Sequence, residues 1–342
     1  MTDTRVSGTS SDDPRLRELS DWVRRVAPAE TFAIAPASAD ASFRRYFRVT
    51  LDGESRIVMD APPEKEDCRP FVHVAGLLAA AGVHAPAVLA QDLDRGFLLL
   101  TDLGSKTYLD VLDADNAAAL YGDAIAALVK WQLATRPGEL PPYDEALLRR
   151  ELALFPDWYI ARHLVRALSP AQQETLQSMF TLIVRSNLAQ PTVFVHRDYM
   201  PRNLMVSDPN PGVLDFQDAV VGPISYDVAS LMRDAFLSWD EERIIDWTVR
   251  YWERARHAGL PVHADFGEFY RDFEWMGLQR HLKVLGIFAR INYRDGKPKY
   301  LADTPRFVGY VRKVAERYGA LKPLLRLMDE LEPQPVEVAY TF

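Results

Sequence analysis

Three oxygen-bearing side chains within one short stretch could do chemistry together: Asp198, Asn203 and Asp215. Two of them belong to the run His196-Arg197-Asp198-Tyr199-Met200-Pro201-Arg202-Asn203, and the third opens Asp215-Phe216-Gln217. An asparagine amide oxygen and a carboxylate suit Mg2+, a hard cation that takes oxygen ligands and often shares the phosphates of a substrate. Asn203 and Asp215 are therefore the candidate metal ligands. The separate carboxylate of Asp198 can accept a proton from a hydroxyl nucleophile, which makes it the candidate catalytic residue.

Such a set works only if the chain brings its members together. Thr192-Val193-Phe194-Val195 is an apolar strand that runs directly into the motif. Leu204-Met205-Val206 and Val213-Leu214-Asp215-Phe216 read as strands around a Pro/Gly-rich turn, Ser207 to Gly212. Antiparallel pairing of 204–206 with 213–215 puts Asn203 and Asp215 at one open end of the hairpin. Asp198 lies on the loop that enters that end. Upstream, residues 30–101 read as strands at 32–35, 43–51, 56–60, 88–91 and 97–101 with one helix over 69–81. From Lys106 onward the pattern is helical, at 107–135, 144–167, 170–188, 226–258 and 264–292. The fold class expected is α+β, with a small β-rich lobe at 1–101, a connector at 102–105 and a larger helical lobe at 106–342.

A length of 342 residues allows about two domains. The 48% hydrophobic and 26% charged content is that of an ordinary globular protein and excludes a disordered chain. Forty basic against 48 acidic residues leave a net charge of −8, which argues against a nucleic-acid partner. Cys68 is the only cysteine, so neither an intramolecular disulfide nor a zinc ribbon can be built. No apolar run approaches the roughly 18 residues of a membrane span, and residues 1–19 hold no apolar signal segment. The expectation is a cytoplasmic protein without a membrane partner.

The motif resembles the protein-kinase signature H-R-D-x-x-x-x-N followed by D-F-G, with Gln217 in place of the last glycine. The wider run, His196 to Val206 and then Gly212 to Leu231 with Tyr226-Asp227-Val228-Ala229, is similar to the aminoglycoside phosphotransferase-type kinases. That resemblance implies a bilobal protein-kinase-like fold that uses ATP and Mg2+. It implies Asp198 as catalytic base, Asn203 and Asp215 as metal ligands, and Asp227 as a brace for the catalytic-loop backbone. His196 becomes a structural residue of the loop, and the Asp102-Leu103 connector pairs its backbone with adenine. Within the family, the 41–49 strand and the His196–Asn203 variant look most like the anomeric sugar kinases of cell-wall recycling. Those phosphorylate N-acetylmuramate and N-acetylglucosamine at C1, so an amino sugar is the expected small-molecule partner.

The chain also departs from the kinase pattern. A strand-three lysine paired with a helix glutamate usually holds the phosphates. Arg56 to Asp60 has no lysine, and Arg69 to Ala81 has no glutamate. Arg44, Arg45, Arg48 and Lys65 are replacements, and strand alternation over 43–49 turns Arg44, Tyr46 and Arg48 to one face. Arg44 is the choice for nucleotide contact. Ser38 to Ser42, small residues, take the place of the glycine-rich loop. Arg280 to Lys299 carries six basic residues against Asp295 and reads first as a solvated helix face, second as a site for an anionic group. Asp265, Glu268, Asp272 and Glu274 could serve a polycationic acceptor, which keeps aminoglycoside, choline-like and homoserine kinases open as alternatives. The absent Lys–Glu pair keeps open a pseudokinase that only binds.

Overall fold

The computed structural model describes residues 13–38 and 43–332. The chain starts with α1 (Pro14–Val26), capped by Asp13, whose carboxylate accepts from the Arg15 and Leu16 amides. Four strands and a helix follow: β1 (Phe32–Ser38), β2 (Arg45–Leu51), β3 (Glu54–Asp60), α2 (Arg69–Ala80) and β4 (Val88–Asp92). β5 (Phe97–Thr101) completes a five-stranded antiparallel sheet in the order β1-β2-β3-β5-β4. Leu16, Leu19, Trp22 and Val23 of α1 lie on Phe47, Val49, Val58, Phe97 and Leu99 of the sheet. The alternation read from the sequence therefore holds on β2: Phe47 and Val49 face the core.

The described residues form two compact units, cut elsewhere than at residue 101. One comprises 1–134 with 201–219; the other comprises 135–200 with 220–342. The first unit keeps α3 (Tyr108–Val111) and α4 (Ala117–Leu133). The helix expected over 107–135 is interrupted because Asp113 takes the amides of Asp115 and Asn116 after α3 ends. The hairpin 201–219 stays with this unit through specific bonds. The Val213 amide donates to the His84 carbonyl at 2.7 Å, and the Val206 amide to the Lys106 carbonyl at 2.9 Å. Gly212 comes so near Leu103 that an added Cβ would sit 2.8 Å from its Cδ1.

The second unit holds α5 (Glu145–Leu154), a π-helix (Phe155–His163) and α6 (Pro170–Leu188). The 144–167 helix thus changes hydrogen-bond pattern at Phe155. β6 (Thr192–Val195) leads to the catalytic loop. In the first unit the hairpin strands are β7 (Leu204–Met205) and β8 (Gly212–Val213). β9 (Val220–Pro223) returns to pair with β6. Then come α7 (Tyr226–Met232), α8 (Glu241–His257), the long α9 (Phe266–Asp295), α10 (Thr304–Arg317) and α11 (Lys322–Leu331). The single helix expected over 226–258 is broken between α7 and α8. Asp234 accepts from the Phe236 and Leu237 amides, a local turn that competes with helix, and Asp240 then caps α8. α9 runs against α5, the π-helix, α6, α7 and α10 and forms the axis of this unit.

Candidate active site

In the second unit, β6 delivers the chain into a loop held from beneath. Asp227, fully buried in the first turn of α7, accepts from the His196 amide at 2.7 Å and the Arg197 amide at 3.0 Å. These bonds lie one and two residues before Asp198, whose own amide donates to His196 Nδ1 at 3.3 Å. The brace expected of Asp227 and the structural place expected of His196 are both present. Burial pushes the Asp227 carboxyl up to about 7, with the Asp198 charge adding to the rise and the two amides and Arg280 opposing it. Arg197 adopts φ +77°, which turns its side chain away from the run of β6.

That side chain reaches a buried carboxylate, Glu151 of α5, at 2.7 Å. Lys283 of α9 meets the same oxygen at 3.0 Å. The Tyr143 hydroxyl and Gln279 Nε2 donate to the other oxygen. Burial alone would raise the Glu151 carboxyl, but Lys283 and Arg197 outweigh it and bring it to about 2. Lys283 also donates to the Tyr226 hydroxyl at 3.1 Å. Glu151 went unnoticed in the sequence because nothing local marks it; it acts only through residues brought to it by the fold.

In the first unit, a cavity of about 340 Å3 carries the remaining candidates. Ile57, Leu100, Met205 and Leu214 supply apolar walls; Asp102 and Leu103 line one part, and Arg202, Asn203 and Asp215 another. The hairpin register pairs Leu204 with Val213, and the Leu214 amide donates to the Asn203 carbonyl at 2.9 Å. Asn203 and Asp215 consequently meet at the open end, with Asn203 Nδ2 3.3 Å from Asp215 Oδ2. Gln217 Nε2 donates to the other Asp215 oxygen at 2.9 Å. Asp215 has φ +63°, a left-handed conformation that aspartate tolerates better than bulkier residues. Phe216 packs on Phe71 of α2 with ring centroids 4.7 Å apart.

The donor set fits Mg2+. Turning the Asn203 amide over would set its oxygen against Asp215 Oδ2, and two such oxygens face each other stably when a cation lies between them. Phosphate oxygens and water would fill the other positions. Arg202, overlooked as a functional residue in the sequence, supplies a cation to the same cavity. Its position directly before the candidate metal ligand was the available signal.

Several expectations require correction. Arg44 does not line this cavity. β2 begins at Arg45, two residues after the expected start at Phe43, and the Arg44 guanidinium pairs with Glu66 at 3.0 Å, ahead of α2. Arg45 is taken by Asp13 and Asp60. Tyr46 and Arg48 do reach the cavity, as the alternation requires, but Arg48 forks onto Asp102 at 2.6 and 3.1 Å. Asp102 also accepts from Ser55 and from the Gly104 amide. Lys65 is exposed, with its ammonium 5.5 Å from the centre of the Phe43 ring. Residues 39–42 of the expected glycine-loop substitute lie outside the described residues. The 280–299 run is not a uniform solvated face: Arg280 is buried, Lys283 serves Glu151, and only the end beyond Tyr293 is open. The acidic set on α9 is largely committed as well. Asp265 caps the helix, Glu268 pairs with Arg271, and Glu274 is buried among Arg233, Arg317 and Tyr318.

The small antiparallel sheet followed by a helical region with this loop and hairpin is a protein-kinase-like fold. Its family is narrower: the chain belongs to the phosphotransferase enzyme family, whose profile matches residues 33–265. It is 54% identical over 330 residues to the N-acetylmuramate/N-acetylglucosamine kinase of Pseudomonas putida, covering 94% of this chain and 97% of that one. The enzyme of the same name from Pseudomonas aeruginosa is 54% identical over 340 residues, covering 96% and 99%. Among solved structures, ADP-bound aminoglycoside phosphotransferase APH(2'')-Ib superposes with a TM-score of 0.57 at 14% identity, covering 87% of this chain and 98% of that one. No helix among the described residues is long and apolar enough to cross a membrane.

Proposed function

We propose that this protein is an ATP-dependent kinase that phosphorylates the anomeric hydroxyl of N-acetylmuramate and N-acetylglucosamine in the cytoplasm, where ATP is supplied. The observation that carries the kinase reading is the meeting of Asn203 and Asp215 in one cavity with the 102–103 connector. The names of the Pseudomonas relatives support the acceptor.

In this reading the connector backbone receives the adenine, and the apolar walls at Ile57, Leu100 and Met205 cover its faces. Asn203 and Asp215 hold Mg2+, which when bound neutralises charge on the phosphates. Arg202 faces the phosphate end. Asp198 orients the acceptor hydroxyl and takes its proton late in the transfer. The sugar oxygen forms a bond to the γ-phosphorus as the bond to the β-bridging oxygen breaks, and ADP leaves. A hemiacetal hydroxyl is more acidic than an ordinary alcohol, so a carboxylate suffices as its base. An acceptor site that pairs the acetamido group would reject glucose, because its own buried donor and acceptor would be left unpaired.

The test is to incubate each sugar with ATP and Mg2+ and read the product by phosphorus NMR. An acid-labile sugar 1-phosphate is expected. A 6-phosphate, or turnover only with aminoglycosides or choline, rejects the assignment.

A further inference from the structure

The second unit contains a buried cation with a nitrogen that no described residue bonds. Arg280 of α9 is 3% exposed, yet its buried Nη1 has no hydrogen-bond partner among the described residues. Arg233 and Arg197 also leave buried nitrogens unpartnered, but each holds a carboxylate directly: Arg233 bonds Glu274 at 3.0 Å and Arg197 bonds Glu151 at 2.7 Å. Leaving a buried guanidinium nitrogen without an acceptor is costly, so an acceptor is missing from the set.

A second orphan lies in its field. Asp234, 2% exposed, uses Oδ2 for the Phe236 and Leu237 amides, while Oδ1 has no partner. Arg280 acts electrostatically on Asp234, and also on Asp227, the brace two residues from Asp198 in its bonding. If Arg280 existed only to neutralise Asp234, the two would bond directly; instead both Arg280 Nη1 and Asp234 Oδ1 are left over. One side needs an anionic acceptor and the other needs a donor. A molecule that carries a carboxylate together with hydroxyl or amide N–H groups satisfies both.

We infer that Arg280 and Asp234 form a subsite for an acidic sugar, with Arg280 receiving the carboxylate and Asp234 a hydroxyl or N–H. This rests on the amino-sugar kinase reading and deepens it: Arg280 recognises the lactyl carboxylate of N-acetylmuramate, a group absent from N-acetylglucosamine. Arg280 thereby sets the preference between the two acceptors and takes no part in the transfer.

The experiment compares kcat/KM for N-acetylmuramate, for its carboxamide and for N-acetylglucosamine. Wild-type protein should favour the acid over the amide, because the amide keeps the shape and removes the charge. Arg280→Gln should lower the N-acetylmuramate to N-acetylglucosamine ratio at least about tenfold, the size of one lost charged hydrogen bond, chiefly through KM. In that variant acid and amide should become equivalent. Arg280→Lys keeps the charge without the fork and should retain part of the discrimination, which secures the test if the glutamine variant does not fold. A parallel loss on both sugars, or a wild-type protein that treats acid and amide alike, overturns the assignment. A wild-type protein that phosphorylates neither sugar overturns the reading beneath it.

Discussion

The cavity of the first unit and the bed under the catalytic loop in the second solve opposite problems with similar residues. In the cavity, charges reach water: Arg48 is 33% exposed although its partner Asp102 is 7% exposed, and Asp215 is open to solvent. Such groups can exchange partners when a polyanion arrives. Beneath the loop, Glu151 is 6% exposed and holds Arg197 and Lys283, themselves largely shielded. Desolvation decides the difference. An exposed pair contributes little and is easily traded, whereas a buried one cannot lose a member without stranding a charge. In the proposed reading, nucleotide contact is thus built from replaceable pairs, and the loop that carries Asp198 from fixed ones.

The largest expected effect separates the two regions by function. Asp198→Asn should lower kcat by about 10²–10⁴-fold while leaving calorimetric affinity for Mg–ATP near that of the wild type. Asp215→Ala should do the reverse, losing Mg2+-dependent nucleotide affinity by more than the roughly 10–100-fold typical of outer-shell changes. If both variants lose binding equally, the division of labour fails.

Stability should separate them next. Glu151→Gln strands Arg197 and Lys283 and should cost about 3–5 kcal/mol in urea unfolding, against about 1 kcal/mol or less for Asp102→Asn. Equal losses would erase the contrast between fixed and replaceable pairs.

The smallest effect concerns pH. The Asp227 carboxyl keeps its proton in the folded chain up to about 7, whereas the unfolded chain releases it near 3.8. Its raised value therefore adds stability that is fully present below the unfolded value and lost as pH rises through the folded one. Relative to Asp227→Asn, wild-type stability should decline by about 2–3 kcal/mol as pH climbs from about 5 to about 7.5. Denaturation series at several pH values would measure it, and a constant difference would refute the buried-proton account.

The meeting of Asn203 and Asp215 was legible in the sequence because it is local. Asn203 and Asp215 are joined by a hairpin whose turn residues declare themselves, and the observed register brings the two together. The facing of Tyr46 and Arg48 followed from strand alternation alone. What stayed hidden depends on distance along the chain. Glu151 meets Arg197 only through the packing of α5 and α9, and counting charges over 280–299 cannot distinguish Arg280, inside, from Lys297, outside. Arg44 lies off the cavity for a smaller reason: periodicity fixes faces but not the residue where a strand begins.

The excursion of residues 201–219 into the first unit has a consequence for inheritance. A fragment ending at Ala134 would carry the connector but not Asn203 or Asp215, so the nucleotide-handling half cannot be passed on as one continuous segment. Recombination that exchanges the second unit must instead replace two stretches, 135–200 and 220–342, and respect the joints on either side of the hairpin. A single crossover at residue 134 would import a foreign hairpin along with the foreign second unit. That hairpin would have to fit the existing Leu103 and His84, whose contacts with Gly212 and Val213 leave little slack. Variation within the second unit is therefore better tolerated as point substitution than as an exchange of halves.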